Sequence, residues 1–296
     1  MSSLLTRNAE RLLRMLIQTD SNILQNIRLL SIFAVKSFLI QKLTGCLKNR
    51  HMIYLEAHIL RYIIANMPAA LYRHALTLVS TGQCAIAMIH LNLAIYLGHL
   101  PSRALKAWML IHGRKGVAPD NNLAFELVKD GTRLGCHHCQ GVMARCYMWG
   151  HGIRLDQAQS LKLARKSSGL GSRYGQNTLG VFYHYGIGGV VAHDSAQARA
   201  LFLLAAAQNL DEAHYMLGNI YRFGDCVAKD YIEGLRLYQL AAAHGHHYAF
   251  YCVAECHEQG LGIPKNKAEA IRWYRRAHEA GNHGGRIVLH RLGALE

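Results

Sequence analysis

Small and apolar residues recur along most of this chain with the period of an α-helix, and the pattern itself is repeated. After Asp194 come Ala198, Leu201, Phe202, Ala205 and Ala206; after Asp230 come Gly234, Leu237, Tyr238, Ala241 and Ala242; after Asn266 come Ala270, Trp273, Tyr274 and Ala277. Offsets of 4, 7, 8, 11 and 12 lie on one helical face. Asp or Asn ahead of such a run is a good N-cap, because its side-chain oxygen accepts a backbone N–H that the first turn leaves unpaired. The glycines behind, Gly245 and Gly281, suit the left-handed closing residue of a helix. Each of these helices follows another that ends in a glycine turn: Leu217-Gly218, Tyr221 and Gly224 before Asp230; Leu179-Gly180, Tyr183, Gly186 and Gly188 before Asp194; Tyr147, Gly150 and Gly152 before Asp156; Gly260 and Gly262 before Asn266. A looser copy is Gly116-Val117-Ala118-Pro119-Asp120.

The markers Asp120, Asp156, Asp194, Asp230 and Asn266 are spaced by 36, 38, 36 and 36 residues. A two-helix hairpin of that length cannot bury its apolar face alone, whereas a stack of hairpins can. The fold class is therefore all-α: an α/α solenoid of about 36-residue helix-turn-helix repeats. Residues 1–66 are apolar and helical by pattern, with breaks expected near Asp20 to Asn22 and Gly45 to Arg50, and read as an N-terminal helical cap. Residues 67–101 read as a degenerate helical repeat, 102–282 as five repeats, and 283–296 as a C-terminal capping helix. Tyr221 and Trp273 read as core rings, and damage at either is expected to stay within neighbouring hairpins.

These residues resemble the Sel-1-like repeat family, relatives of the tetratricopeptide repeats. The fourth copy carries Ala213, Leu217, Gly218, Tyr221, Gly224, Val227, Asp230, Tyr238, Ala241 and Gly245 of that pattern; the fifth carries Ala249, Gly260, Gly262, Ala270, Trp273, Tyr274 and Gly281. Departures are Cys226 at the second turn glycine, His257 at the tyrosine and Asn266 at the aspartate. The resemblance spans roughly residues 102–296 and implies a protein-binding scaffold or adaptor, not an enzyme. It also implies that the first helix of each repeat lines a concave groove. On that register the partner-binding positions are Arg145, Trp149, His184, Tyr185, Tyr215, Asn219, Arg222, Phe223, Tyr251 and Glu255. Trp149, Tyr185 and Phe223 share one position in three consecutive repeats, directly before the turn glycine. They read either as rings packed over the turn or as anchors for an extended peptide, with Arg145 and Arg222 suited to acidic segments.

Composition changes this picture only a little. The formal net charge is +15, with ten Lys or Arg against three acids in residues 1–100. That leaves a second reading open: a structural subunit whose basic N-terminal helical region docks on a protein, nucleic-acid or anionic membrane surface. No run of five like charges occurs, which argues against direct nucleic-acid binding. Arg7, Arg11 and Arg14 share a helical face, but Glu10 interrupts it, and an ordinary first helix is preferred over a targeting segment. The stretch from Ile23 to Leu43 contains Arg28 and Lys36 and is too polar for a transmembrane span. Eight cysteines show no recurring pair, and a reduced, cytoplasmic setting is expected.

Candidate chemistry is sparse. Cys136-His137-His138-Cys139 offers zinc-ligand types, but no second pair stands at metal spacing, and Cys139 falls on the small-residue position held by Gly175, Ala213 and Ala249. The histidines at 137–138 and at 244, 246 and 247 read as polar turns. No Ser-x-x-Lys, His-Glu-x-x-His, Gly-x-Ser-x-Gly or phosphate-binding glycine loop is present. No metal, cofactor, small-molecule substrate or catalytic residue is expected.

Overall fold

A computed structural model describes residues 53–114, 116–189 and 191–294. The expected breaks in the first fifty residues, and the arginine face of the N-terminus, lie outside the described residues. Thirteen α-helices follow in order: α1 Ile53–Ser80, α2 Cys84–Tyr96, α3 Leu100–His112, α4 Asn121–Arg133, α5 His137–Trp149, α6 Gln157–Gly169, α7 Arg173–Tyr185, α8 Ser195–Ala206, α9 Asp211–Phe223, α10 Tyr231–Ala243, α11 His247–Gln259, α12 Lys267–Glu279 and α13 His283–Arg291. No strand forms among the described residues.

The described residues divide into two compact units, one of residues up to Leu78 with Gln83–Arg103, the other of Val79–Gly82 with the residues from Ala104 onward. α1 runs unbroken through the boundary expected at residues 66 and 67, and α2 follows it in chain order. His74 meets His90 edge-on, with ring centres 4.8 Å apart.

The second unit, from Ala104 onward, is the repeat array. Its second helices start where the markers stand. Asp120, Asp156, Asp194, Asp230 and Asn266 are all N-caps in extended backbone, and each side chain accepts the N–H three residues on at 2.9–3.0 Å. The first helices α5, α7, α9 and α11 end at Gly150, Gly186, Gly224 and Gly260, each left-handed. The helix stop and the next helix start are thus both written into the turn, by backbone conformation at one end and a side-chain acceptor at the other.

The first helices α5, α7, α9 and α11 each pack on their own second helix, and the second helices α4, α6, α8, α10 and α12 each pack on the helix that follows. Offset 8 from the cap supplies the ring that closes the hairpin: Phe202, Tyr238 and Tyr274 are fully buried. Gly180 and Gly218 allow this approach, since a Cβ there would press into the Phe202 or Tyr238 ring. Tyr221 and Trp273, expected as core rings, are only half-buried and pack against core clusters from their edge. In α12 the ring at offset 8, Tyr274, is buried ahead of Trp273 at offset 7, whereas α10 buries both Leu237 and Tyr238.

Cys226, the departure at the second turn glycine, adopts a left-handed φ of 55°. At the matching Gly152 and Gly262, a Cβ would collide with the carbonyl of Asn121 or Tyr231, the first residue of the second helix one repeat earlier. Cys226 meets the corresponding carbonyl, that of Ser195, by donating its thiol at 3.4 Å. The turn therefore keeps its contact with the preceding hairpin despite the lost glycine.

Candidate functional site

The array places charged side chains of the first helices against one another. Arg145 of α5 closes on Glu212 of α9 at 2.7 Å and stands over the Trp108 ring of α3. Arg222 of α9 donates to Glu255 of α11 at 2.7 Å. Glu258 of α11 receives Arg291 of α13 and, at 2.6 Å, the Tyr274 hydroxyl. His184 of α7 lies 3.3 Å from Asp225 in the turn after α9. Arg145 joins helices two repeats apart, so the first-helix faces converge on a common side.

The longest reach was not expected. Arg114, in the turn after α3, donates to Asp211 at the start of α9, 97 residues on, and to the carbonyl of His244 at 3.2 Å. Both members of the Arg114–Asp211 pair are buried. His112 adds a contact to Glu212 at 3.4 Å. The first repeat is thereby tied to the start of the fourth, which corrects the expectation that contacts join only neighbouring hairpins. Burial alone would raise the Asp211 pKa, but the Arg114 charge and its hydrogen bond hold it well below the carboxylate range. Glu212 is pushed up by burial and by Asp211, against the pull of Arg145.

The histidines before α11, expected as a polar turn, stand between α10 and α11, where His244 and His247 are half-buried. His246 is buried and is the N-cap of α11, its Nδ1 accepting the Ala249 N–H at 3.3 Å. Tyr215 stacks on it, centres 4.7 Å apart. Only the neutral ring can accept that bond. Burial, reinforced by Arg114, His247 and Arg145 and opposed by Asp211, lowers the His246 pKa to about 3. His112 is lowered in the same direction, by burial first and then by Arg145 and Arg114. The folded chain thus keeps these rings neutral at pH values where the unfolded chain protonates them. Their contribution to stability is complete above the ordinary histidine pKa near 6.5 and is lost as pH falls below it, for His246 down toward 3. The raised Glu212 offsets part of this. Between pH 7.5 and pH 5, His246 alone is expected to remove about 1–2 kcal/mol of stability. Urea denaturation at the two pH values measures it. His246→Asn, which copies the Asn282 cap of α13, should lose less stability over that interval; an unchanged pH dependence in the variant would contradict the assignment.

The ten expected binding positions now divide into two groups. Arg145, His184, Arg222 and Glu255 are engaged in ion pairs within the array. Asn219 accepts the Tyr238 hydroxyl at 2.7 Å, Tyr215 stacks on His246, and Tyr251 meets Tyr274 edge-on at 5.3 Å. The other group is the aromatic ladder. Trp149, Tyr185 and Phe223 are 49%, 57% and 62% exposed, each at the last residue of its first helix. Tyr185 also meets the His184 ring edge-on at 4.6 Å, and the Arg222 guanidinium stands 5.4 Å over the Phe223 ring.

Sequence reasoning missed Trp108, His112, Arg114, Asp211 and Glu212. One signal was available: Asp211-Glu212 stands where the other repeats carry His137-His138, Arg173-Tyr174 and His247-Tyr248, so the charge reverses at one register position.

The chain was compared with known proteins. The Sel1 repeat family matches at residues 104–129, 132–172, 173–210, 211–246 and 248–282, together more than half of the chain. No curated protein matches. Among solved structures, the chain is similar to a Sel1 repeat protein from Oxalobacter formigenes, at 22% identity over 72% of this chain and 86% of that one, with a TM-score of 0.49. It is also similar to c5321, a protective antigen of uropathogenic Escherichia coli strains displaying an SLR fold, at 26% identity and a TM-score of 0.48. That match covers 81% of this chain and spans 53% of the antigen. No helix among the described residues is long and apolar enough to cross a membrane. With five consecutive matches whose caps, turn glycines and ring positions coincide with the helices described above, this chain belongs to the Sel1 repeat family.

Proposed function

We propose that this protein is a non-catalytic interaction scaffold that holds an extended segment of a protein partner along the Trp149, Tyr185 and Phe223 ladder. The observation that carries this reading is the exposure of three large rings at one register position of three consecutive repeats. Large aromatic side chains gain much buried area for little lost side-chain entropy, and they dominate many interfaces. A repeating anchor suits an extended segment, whose side chains also recur at fixed intervals.

The expected preference for acidic segments loses its residue-level support, because Arg145 and Arg222 already face Glu212 and Glu255. The net charge of +15 still favours an anionic partner at long range. A cytoplasmic setting belongs to the same reading and rests on cysteines that do not recur in pairs.

Affinity capture with the intact chain, followed by titration of the captured partner, tests the proposal. Trp149→Ala, Tyr185→Ala and Phe223→Ala combined should weaken binding at least tenfold, about 1.4 kcal/mol. The helical circular dichroism signal should persist, because exposed rings contribute little to the core. Wild-type affinity in the triple variant would remove the ladder from the function.

A further inference from the structure

Cys136 is the N-cap of α5, and Cys139 is the third residue of that helix. At three of the four later starts this pair of positions is a capping pair, the exception being Leu210 and Ala213 of α9. Ser172 accepts the Gly175 N–H at 3.4 Å, His246 the Ala249 N–H at 3.3 Å, and Asn282 the Gly285 N–H at 3.1 Å. Only the α5 start has sulfur at both places. Neither sulfur is joined in a disulfide, and Cys136 closes no cap hydrogen bond. That is expected of a neutral thiol, which is a weak acceptor; a thiolate at the same place is a strong one.

We propose that Cys136 and Cys139 are a redox-active dithiol pair that exchanges with small-molecule disulfides of the glutathione class, Cys136 attacking and Cys139 resolving. Two cysteines separated by two residues at a helix start are the arrangement in which a thiolate gains backbone N–H groups and the helix dipole, with a second thiol in reach. The two sulfurs differ in access. Cys139 is fully buried, whereas Cys136 retains 7% exposure beside the open Leu134-Gly135 turn. That asymmetry assigns the roles.

The surroundings favour the thiolate of Cys136. The Cys139 thiol and the N–H groups of Cys139 and His138 lower its pKa to about 6, against the opposing effect of burial. Elsewhere burial pushes Cys146 and Cys252 up to about 12 and Cys256 up to about 11. Around the pair, His137 and His138 stack at 4.2 Å on the same helix, and α7 presents Ser172, 3.2 Å from the His138 Nδ1, and the Tyr174 ring.

The exchange balances in two steps. The Cys136 thiolate attacks one sulfur of oxidised glutathione, the S–S bond breaks, and one glutathione thiolate leaves and takes up a proton. Cys139 then loses its proton and attacks the Cys136 sulfur, expelling the second glutathione thiolate, which is protonated in turn. One dithiol is oxidised to a disulfide, and one glutathione disulfide is reduced to two thiols.

The test uses the intact reduced chain in oxidised glutathione at pH 7, quenched with acid and digested with trypsin. The Leu134–Arg145 peptide carries both cysteines, so the disulfide makes it lighter by two hydrogens. The wild type should give that product. Cys139→Ala should trap glutathione on Cys136, and Cys136→Ser should give neither product. Both substitutions install a residue that another repeat already uses at the same place, Ala213 and Ser172, so the fold is retained. Iodoacetamide labelling of Cys136 should show a midpoint near pH 6. A peptide that stays a dithiol throughout, glutathione trapped on Cys139 in the Cys136→Ser variant, or a Cys136 midpoint at the ordinary thiol value of about 8.5 would each overturn the proposal.

Discussion

Replacing Arg114 by Met is expected to destabilise the repeat array by about 3–5 kcal/mol, although the residue lies in a turn between two helices. The guanidinium is the partner of a buried carboxylate, Asp211, and it also donates to the His244 carbonyl. Methionine fills part of the volume and supplies no charge, so Asp211 is left ionised in a buried place. The cost belongs to that orphaned charge rather than to the pair itself, since buried ion pairs replaced on both sides by apolar groups are often near neutral. The double variant Arg114→Met with Asp211→Leu should therefore recover most of the loss. The single variant should also lose less at pH 5 than at pH 7.5, because without Arg114 burial raises the Asp211 pKa and the carboxyl can take a proton. Urea midpoints for the four proteins of the cycle measure all of this. A cost below about 1 kcal/mol for Arg114→Met would contradict the buried tie. Hydrogen exchange adds the spatial part: protection should fall around residues 108–114 and at the start of α9 together, although two repeats lie between them.

The second large effect is expected at Tyr238. Its ring is fully buried against α9, and Gly218 is small so that the ring can lie there. Tyr238→Ala should cost about 3–5 kcal/mol, the loss of a buried aromatic ring plus the cavity it leaves. Tyr238→Phe keeps the packing and removes only the hydrogen bond to Asn219, so it should cost about 1 kcal/mol. The damage should centre on α9, α10 and α11, the helices packed around this hairpin. Equal destabilisation by Phe and Ala would mean that the hydroxyl, not the ring, holds the site.

These two positions mark where the sequence was and was not readable. The caps at Asp120, Asp156, Asp194, Asp230 and Asn266 were legible because a cap acts within three residues of itself, and the repeat gave five copies to compare. The ladder of Trp149, Tyr185 and Phe223 was legible as a register, since periodicity puts the three rings at equivalent places; their exposure needed the helix ends in three dimensions. Tyr238 and Tyr274 were harder. Offsets 7 and 8 are both apolar in this chain, and a rotation of one residue decides which ring is buried. The Arg114–Asp211 pair could not be read at all. Which turn meets which helix start three repeats later depends on how the stacked hairpins rotate against one another, and hydrophobic periodicity along the chain does not encode that. Arg145 and Arg222 show the consequence: each looked available for a partner, and each is held by a carboxylate from another repeat.

The central claim is that partner recognition falls on the ends of three first helices. Hydrogen exchange of the intact chain, with and without its captured partner, tests it most directly. Exchange should slow on binding at the C-terminal turns of α5, α7 and α9 and in the Gly150, Gly186 and Gly224 turns that follow them, with the second helices α6, α8 and α10 unchanged. Slowing confined to residues 1–100, or to those second helices, would contradict the claim and move the binding surface elsewhere on the chain.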